Sequence, residues 1–357
     1  MPSVTSGKVL VTGASSFIAT WIVKAFLDAG FTVRGTVRST SKGEALKEIF
    51  KTDKFEYSIV EDILNDALFD KSLKDIDVVI HAASPLPGPD NDPQADPEEF
   101  IRPAVDGTVG ILKSVLRAGE TIKRVIIISS LAAIRNSGDL PELPVYDESN
   151  WPSRSLKIVE TKGRAAENFV KYAASKILAE KAAWELYNPI KKTLKWDLVA
   201  LNPTFVLGPI LEASPTTDIS KVYGPNFYLW TTLHGKPTPP GGYAALDFWV
   251  DVRDVAEAHL KAVTIEEAAD NRFLILSDRL IPQDLLDAVH ENDSAGEFDS
   301  LVRGTPGSGK DVEPFSFQLS NKKSQQVLGI KYRTIQDSAK DFARTVNIDL
   351  VMETKIQ

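Results

Sequence analysis

Tyr172 and Lys176 lie four residues apart in "VKYAASK", a helical run, so their side chains share one face. An ammonium beside a phenol favours the phenolate and lowers a pKa that is ordinarily about 10. Such a tyrosine can deliver its proton to a carbonyl oxygen as hydride reaches the carbon. Tyr-x-x-x-Lys alone occurs by chance in many helices, so the pair needs company. Ser129 and Ser130 close the apolar run "RVIIIS" that starts at Arg124. In a parallel α/β sheet the carboxyl ends of the strands line the ligand crevice. Ser130 is thereby placed to hydrogen-bond a substrate oxygen.

A hydride needs a donor, and "VLVTGASSFIAT", Val9–Thr20, has the form of a dinucleotide-binding first turn. Such a turn needs a tight bend, a close approach of backbone to pyrophosphate, and close helix–strand packing. Gly13 supplies the bend and Ala19 the packing, while Ser16 stands where a second glycine is usual. Its hydroxyl either crowds the phosphates or donates to them. The cofactor-binding residues expected here are Gly13, Ser15, Ser16, Phe17 and Ile18. The second turn reads "VRSTSK" from Val37. An NAD site usually places Asp or Glu at the end of this strand, for the ribose 2′-hydroxyl. Arg38 and Lys42 stand there instead, with Arg34 nearby. That is chemistry for a 2′-phosphate, hence NADPH; the plainer alternative is solvated surface charge.

These residues need elements to hold them. Apolar runs at Lys8–Thr12, Phe31–Val37, Phe55–Val60, Asp77–His81, Arg124–Ser129 and Trp196–Leu201 read as strands. Helical spacing marks Ser16–Ala29, Ser41–Phe50, Pro97–Ala118 and Arg164–Tyr187. Continuous apolar strands alternating with helices indicate a parallel sheet covered on both faces. After Pro203 proline and glycine become frequent, the texture of a second, irregular lobe, and "FWVDVRDVAEAHLKAV" then returns to strand and helix. The net charge of −8 argues against a nucleic-acid partner. The absence of cysteine removes disulfides, thiolate chemistry and thiolate metal sites, and four scattered histidines show no metal-ligand spacing. No apolar run is long enough to span a bilayer, so the expected place is the cytosol, as monomer or homodimer.

Together these blocks resemble the extended branch of the short-chain dehydrogenase/reductase superfamily, nearest the dihydroflavonol reductase, cinnamoyl-CoA reductase and fungal aldehyde/methylglyoxal reductase group. "VTGASSFIA", "VRGTVRS", "ED" at Glu61-Asp62, "HAASP", "ISS", "YAASK", "LNPTFVLGP" and "WVDVRDVAEAH" occur in the right order. The fold implied is α/β: a doubly wound parallel Rossmann sheet with a smaller, irregular C-terminal substrate lobe. Residues 1–203 would bind NADP(H), with a returning segment near 247–278, and 204–357 would form most of the lobe. The resemblance implies that Asp62 and Ile63 hold the adenine and that Ala82, Ala83 and Ser84 line the nicotinamide ribose. Tyr172 and Lys176 also hold the ribose, and Pro203, Thr204 and Val206 pack the nicotinamide. Ser130 polarises the carbonyl, Tyr172 is the acid, and Lys176 tunes it. Ser16 departs from the branch, which usually has glycine there.

The activity implied is NADPH-dependent reduction of an aldehyde or ketone, in an apolar pocket near Leu86, Leu131, Phe205, Tyr223 and Phe227. Plain core packing is the other reading of those five. One rival enzyme is an NAD-retaining nucleotide-sugar epimerase or dehydratase; a rival of another class is a non-catalytic nucleotide-sensing scaffold. "GTPGSGKD" at Gly304–Asp311 imitates a nucleoside triphosphate loop, but Asp311 stands where Ser or Thr should hold magnesium, so it reads as a surface loop.

Overall fold

The computed structural model describes residues 3–65, 67–83, 92–135, 144–211, 222, 224–236, 248–313 and 316–346. The chain begins β1 (Lys8–Val11), α1 (Phe17–Asp28), β2 (Thr32–Val37), α2 (Thr40–Phe50), β3 (Phe55–Ile59), α3 (Ala67–Asp70) and β4 (Val78–His81). It continues α4 (Glu98–Ala118), β5 (Arg124–Ile128), β6 (Val145–Tyr146), α5 (Arg154–Lys162), α6 (Asn168–Tyr187) and β7 (Asp197–Pro203). Then come β8 (Phe205–Leu207), α7 (Pro225–Leu233), β9 (Phe248–Asp251), α8 (Val252–Thr264), β10 (Arg272–Ile275) and β11 (Asp278–Arg279). The last elements are α9 (Pro282–His290), β12 (Gln318–Leu319), α10 (Lys322–Val327) and α11 (Ile335–Thr345).

Seven strands make one sheet in the order β3-β2-β1-β4-β5-β7-β10, every pairing parallel. Side chains alternate across a strand, so Val9 and Val11 enter one core while Leu10 enters the other. The first core is closed by α1 and α8 through Ile22, Phe26, Val255 and Val263. The second is closed by α4 and α6 through Ile111, Val115, Ala183 and Tyr187. Coverage on both faces is why the strands are apolar at successive positions. The strand order reverses at β1 and β4, and the crevice outside their carboxyl ends is where such a sheet takes a ligand.

A third apolar cluster joins β8, α7, β9, α9 and α11 through Leu207, Trp230, Trp249, Leu285 and Phe342. The proline- and glycine-rich stretches 212–221 and 237–247 lie outside the described residues. The chain returns from this lobe along α8, packed on α1, and adds β10 to the edge beside β7. The helix expected over Arg164–Tyr187 begins instead at Asn168, and α5 precedes it unannounced. Gly163, at φ +51°, breaks the path between them in a conformation that costs glycine little. Among the described residues no helix is long and apolar enough to cross a membrane.

Arg124 and Asp197 form an ion pair inside the fold. Arg124 is fully buried, and its guanidinium grips Asp197 at 2.6 and 2.9 Å. Its third nitrogen donates to the carbonyls of Ala262 at 2.5 Å and Ile265 at 2.7 Å. It therefore ties β5, β7 and the end of α8 together.

Candidate active site

The first turn is built for close approach. Gly13 sits at φ +63°, and a Cβ there would lie 3.0 Å from the Cα of Ala83. Its amide donates to Thr36 Oγ1 at 3.1 Å, which fastens the turn to β2. α1 then starts at Phe17 with no acidic residue in its first turn. The orphan amides of that turn and the helix dipole together favour an anion. Ser16 occupies the N-cap, yet its hydroxyl makes no capping hydrogen bond. It is thus available to a phosphate at no cost to the helix. Ser16→Ala should leave the melting temperature unchanged, where removal of a working cap typically costs about 1 kcal/mol. It should weaken NADPH binding several-fold, and calorimetric titration beside a thermal melt separates the two effects.

Arg38, just past β2, and Lys42, in the first turn of α2, are exposed and form no ion pair among the described residues. Arg34 does not join them. It pairs with Glu56, its partner across β2 and β3, and donates to the carbonyls of Ser72 and Lys74, both at 2.8 Å. It is a fastening for the sheet edge, which removes it from the phosphate set. Asp62 is exposed and caps its own turn by accepting from the Leu64 amide at 2.9 Å. Ile63 packs against the second core, near Gly107 on α4.

β4 ends in a latch absent from the expected site. Thr12 Oγ1 accepts from the amides of Ala82 at 3.1 Å and Ala83 at 3.0 Å. Its proton is left for His81 Nδ1, also 3.0 Å away, which selects the Nε2–H tautomer of a neutral ring. Burial, and secondarily the positive charge of Lys176, push His81 down to about 3. The latch holds Ala82 and Ala83 against the Gly13 turn. Ser84 lies outside the described residues.

Ser130 follows β5 and opens the short 3-10 turn Leu131–Ala133, its Oγ accepting from the Ala132 amide at 3.1 Å. Ser129, the neighbour, is turned away and donates to Glu180 at 2.5 Å. Helix α6 packs against this same turn. It carries half-buried Tyr172 and buried Lys176, whose Nζ is 5.8 Å from the phenol ring centre. Burial pushes Lys176 down to about 8, and Glu180 pulls it partly back. A pocket of about 10 Å³, near the threshold for one water, lies behind it, lined in part by His81, Thr108, Ser129, Lys176 and Glu180.

With a glycine turn, a free helix N-terminus and the Ser130, Tyr172 and Lys176 edge in place, likeness to known chains can be read. A profile of the NAD dependent epimerase/dehydratase family matches residues 9–275. The chain belongs to that family. It is 36% identical to ketoreductase azaE of Aspergillus niger, over 94% of this chain and 96% of that one. It is 33% identical to NADPH-dependent methylglyoxal reductase GRE2 of Saccharomyces cerevisiae, over 95% and 97%. The crystal structure of yeast Gre2 complexed with NADPH superposes with a TM-score of 0.80 at 29% identity, covering 98% and 99%. These place the chain in the family's extended short-chain dehydrogenase/reductase branch.

The remaining expected residues of this family member fall less evenly. Pro203 ends β7, and Thr204 turns its hydroxyl and amide to the carbonyl of Ile275. Val206 is buried in the first core. Leu131 is buried with Ile134, Tyr146, Phe248 and Phe317, which is core packing. Phe205 and Phe227 are half-buried beside the lobe cluster. Leu86 and Tyr223 lie outside the described residues. The loop at Gly304–Asp311 directs the Gly307 amide at Asp287, 2.8 Å away, so it faces a carboxylate and offers no phosphate cradle.

Proposed function

We propose that this chain is an NADPH-dependent carbonyl reductase, reducing a small aldehyde or ketone in the cytosol. One observation carries the reading: the cations Arg38, just past β2, and Lys42, in the first turn of α2, form no ion pair among the described residues, in a sheet whose carboxyl edge also presents Ser130 beside α6 with Tyr172 and Lys176. NADPH, when bound, supplies the hydride. The residues for it fit: a Cβ-free turn at Gly13, an acid-free helix start, an unused Ser16 hydroxyl, and two cations for the 2′-phosphate.

Ser130 Oγ already accepts one hydrogen bond, so its own proton can point at the substrate oxygen. Tyr172 gives that oxygen its proton as negative charge develops. The Lys176 ammonium, on the same helix face, stabilises the phenolate left behind. Phe205 and Phe227 offer apolar surface for the organic part of the substrate.

The test is titration with NADPH and with NADH, read by tryptophan fluorescence. NADPH should bind much more tightly. In Arg38→Ala/Lys42→Ala its affinity should fall about ten- to hundredfold, the worth of one or two hydrogen bonds to a charged group. NADH binding should hardly change. Equal losses for both cofactors would refute the 2′-phosphate assignment.

A further inference from the structure

Glu180 has no part in the chemistry described so far, yet the catalytic edge converges on it. It sits one helical turn beyond Lys176, at the i+4 spacing that puts both side chains on one face of α6. It is buried, and both its oxygens are engaged. Oε2 accepts from the Ser129 hydroxyl at 2.5 Å and from Asn202 Nδ2 at 2.8 Å. The same Asn202 nitrogen donates to the carbonyl of Ser130 at 3.1 Å. Oε1 accepts from Trp184 at 3.2 Å and from Arg272 Nε at 2.6 Å.

Arg272 is held as firmly. It donates to the carbonyls of Glu148 at 2.6 Å and Ala133 at 2.8 Å, and its guanidinium lies 3.7 Å from the centre of the Trp151 ring. The carbonyl of Ala133 belongs to the turn that Ser130 opens. Glu180 and Arg272 therefore grip that turn from both sides: through Ser129 and Asn202 at its start, and through Ala133 at its end.

We propose that Glu180, held by Arg272, is a positioning residue that fixes Ser130 relative to α6 and keeps a negative charge one turn from Lys176. The inference rests on the reductase reading. Few other charges compete. β4 presents His81, which is neutral; β5 presents the Ser129 hydroxyl; α4 contributes Ala104 and Thr108. From β10 the cation of Arg272 arrives already paired to Glu180. Glu180 is thus the anion that favours a charged Lys176.

The test is Glu180→Gln, which keeps the shape and removes the charge. With methylglyoxal as the carbonyl probe, kcat at neutral pH should fall about ten- to hundredfold, the penalty for a small misplacement of catalytic groups. The alkaline limb of the kcat profile should move to lower pH by about one unit, as expected when a nearby opposite charge is removed. Titration of Lys176 by competitive acetylation, read by mass spectrometry, should shift the same way. Glu180→Asp keeps the charge and should leave the limb in place. If Glu180→Gln fails to fold because Arg272 loses its partner, Glu180→Gln/Arg272→Gln removes both charges and should move the limb in the same direction by a smaller amount, because the Arg272 cation is removed as well. An unmoved limb and unmoved Lys176 titration in a folded variant would overturn the proposal. Failure of the wild-type enzyme to reduce any carbonyl probe would sink the reductase reading alone, because the acetylation titration needs no substrate.

Discussion

Tyr172→Phe should lower turnover by about 10²–10⁴-fold, the usual worth of a positioned general acid. The ring stays, so its tilted contact with Phe169 and its place on α6 are kept. Only the transferable proton is lost. NADPH affinity should therefore fall by less than about tenfold, the value of one ordinary hydrogen bond to a ribose hydroxyl. Stopped-flow single turnovers beside a binding titration separate the two quantities. A variant that reduces substrate at the wild-type rate would remove Tyr172 from the mechanism. A variant that no longer binds NADPH would make the phenol chiefly a cofactor ligand. The same logic distinguishes Ser130→Ala, which keeps the fold of the Leu131–Ala133 turn only so far as the Ala132 amide finds another acceptor.

Arg124→Met should cost stability far more than any surface pair. It leaves the Asp197 carboxylate buried without its cation and strips donors from the carbonyls of Ala262 and Ile265. Removing one partner of a buried ion pair costs about 3–5 kcal/mol. By contrast, breaking the exposed Lys24–Asp28 pair should cost a few tenths of a kcal/mol. Arg124→Met/Asp197→Leu should regain much of the loss, because apolar groups of similar size satisfy a dry site without needing a charge. Urea midpoints for the three variants decide it. A single variant within about 1 kcal/mol of wild type would mean that water reaches Asp197 and that the pair is not a structural centre.

How much of this could be read from the residues alone depends on the range of the interaction. The Gly13 turn, the Arg38 and Lys42 cluster, and the Tyr172–Lys176 pair are local: each depends on neighbours within one turn or one strand end. Their place at the carboxyl edge of a parallel sheet follows from apolar strands alternating with helices. The direction of Arg34 is not local: it depends on pairing with Glu56, twenty-two residues on, and register is invisible until β2 and β3 are aligned. The Thr12–His81 latch joins ends of strands sixty-nine residues apart. Glu180 carried one local clue, its i+4 spacing from Lys176. Ser129, Asn202 and Arg272 come from β5, β7 and β10, and only the sheet order brings them to one carboxylate. Leu131 is ambiguous for another reason: an apolar residue beside a serine at a strand end is as well suited to a core as to a pocket, and in the fold it packs with Ile134, Tyr146, Phe248 and Phe317.

The placement of β10 has a bearing on synthesis. It is the last strand of the large sheet in chain order, and the lobe segment separates it from β7. While a ribosome is still translating that segment, β7 has a bare edge of unpaired amides and carbonyls, flanked by side chains made for burial. Glu180, too, waits in the nascent chain without its guanidinium. Until Arg272 emerges, the half-made enzyme is a template for strand addition by neighbouring chains, and it calls for shielding by chaperones during that interval.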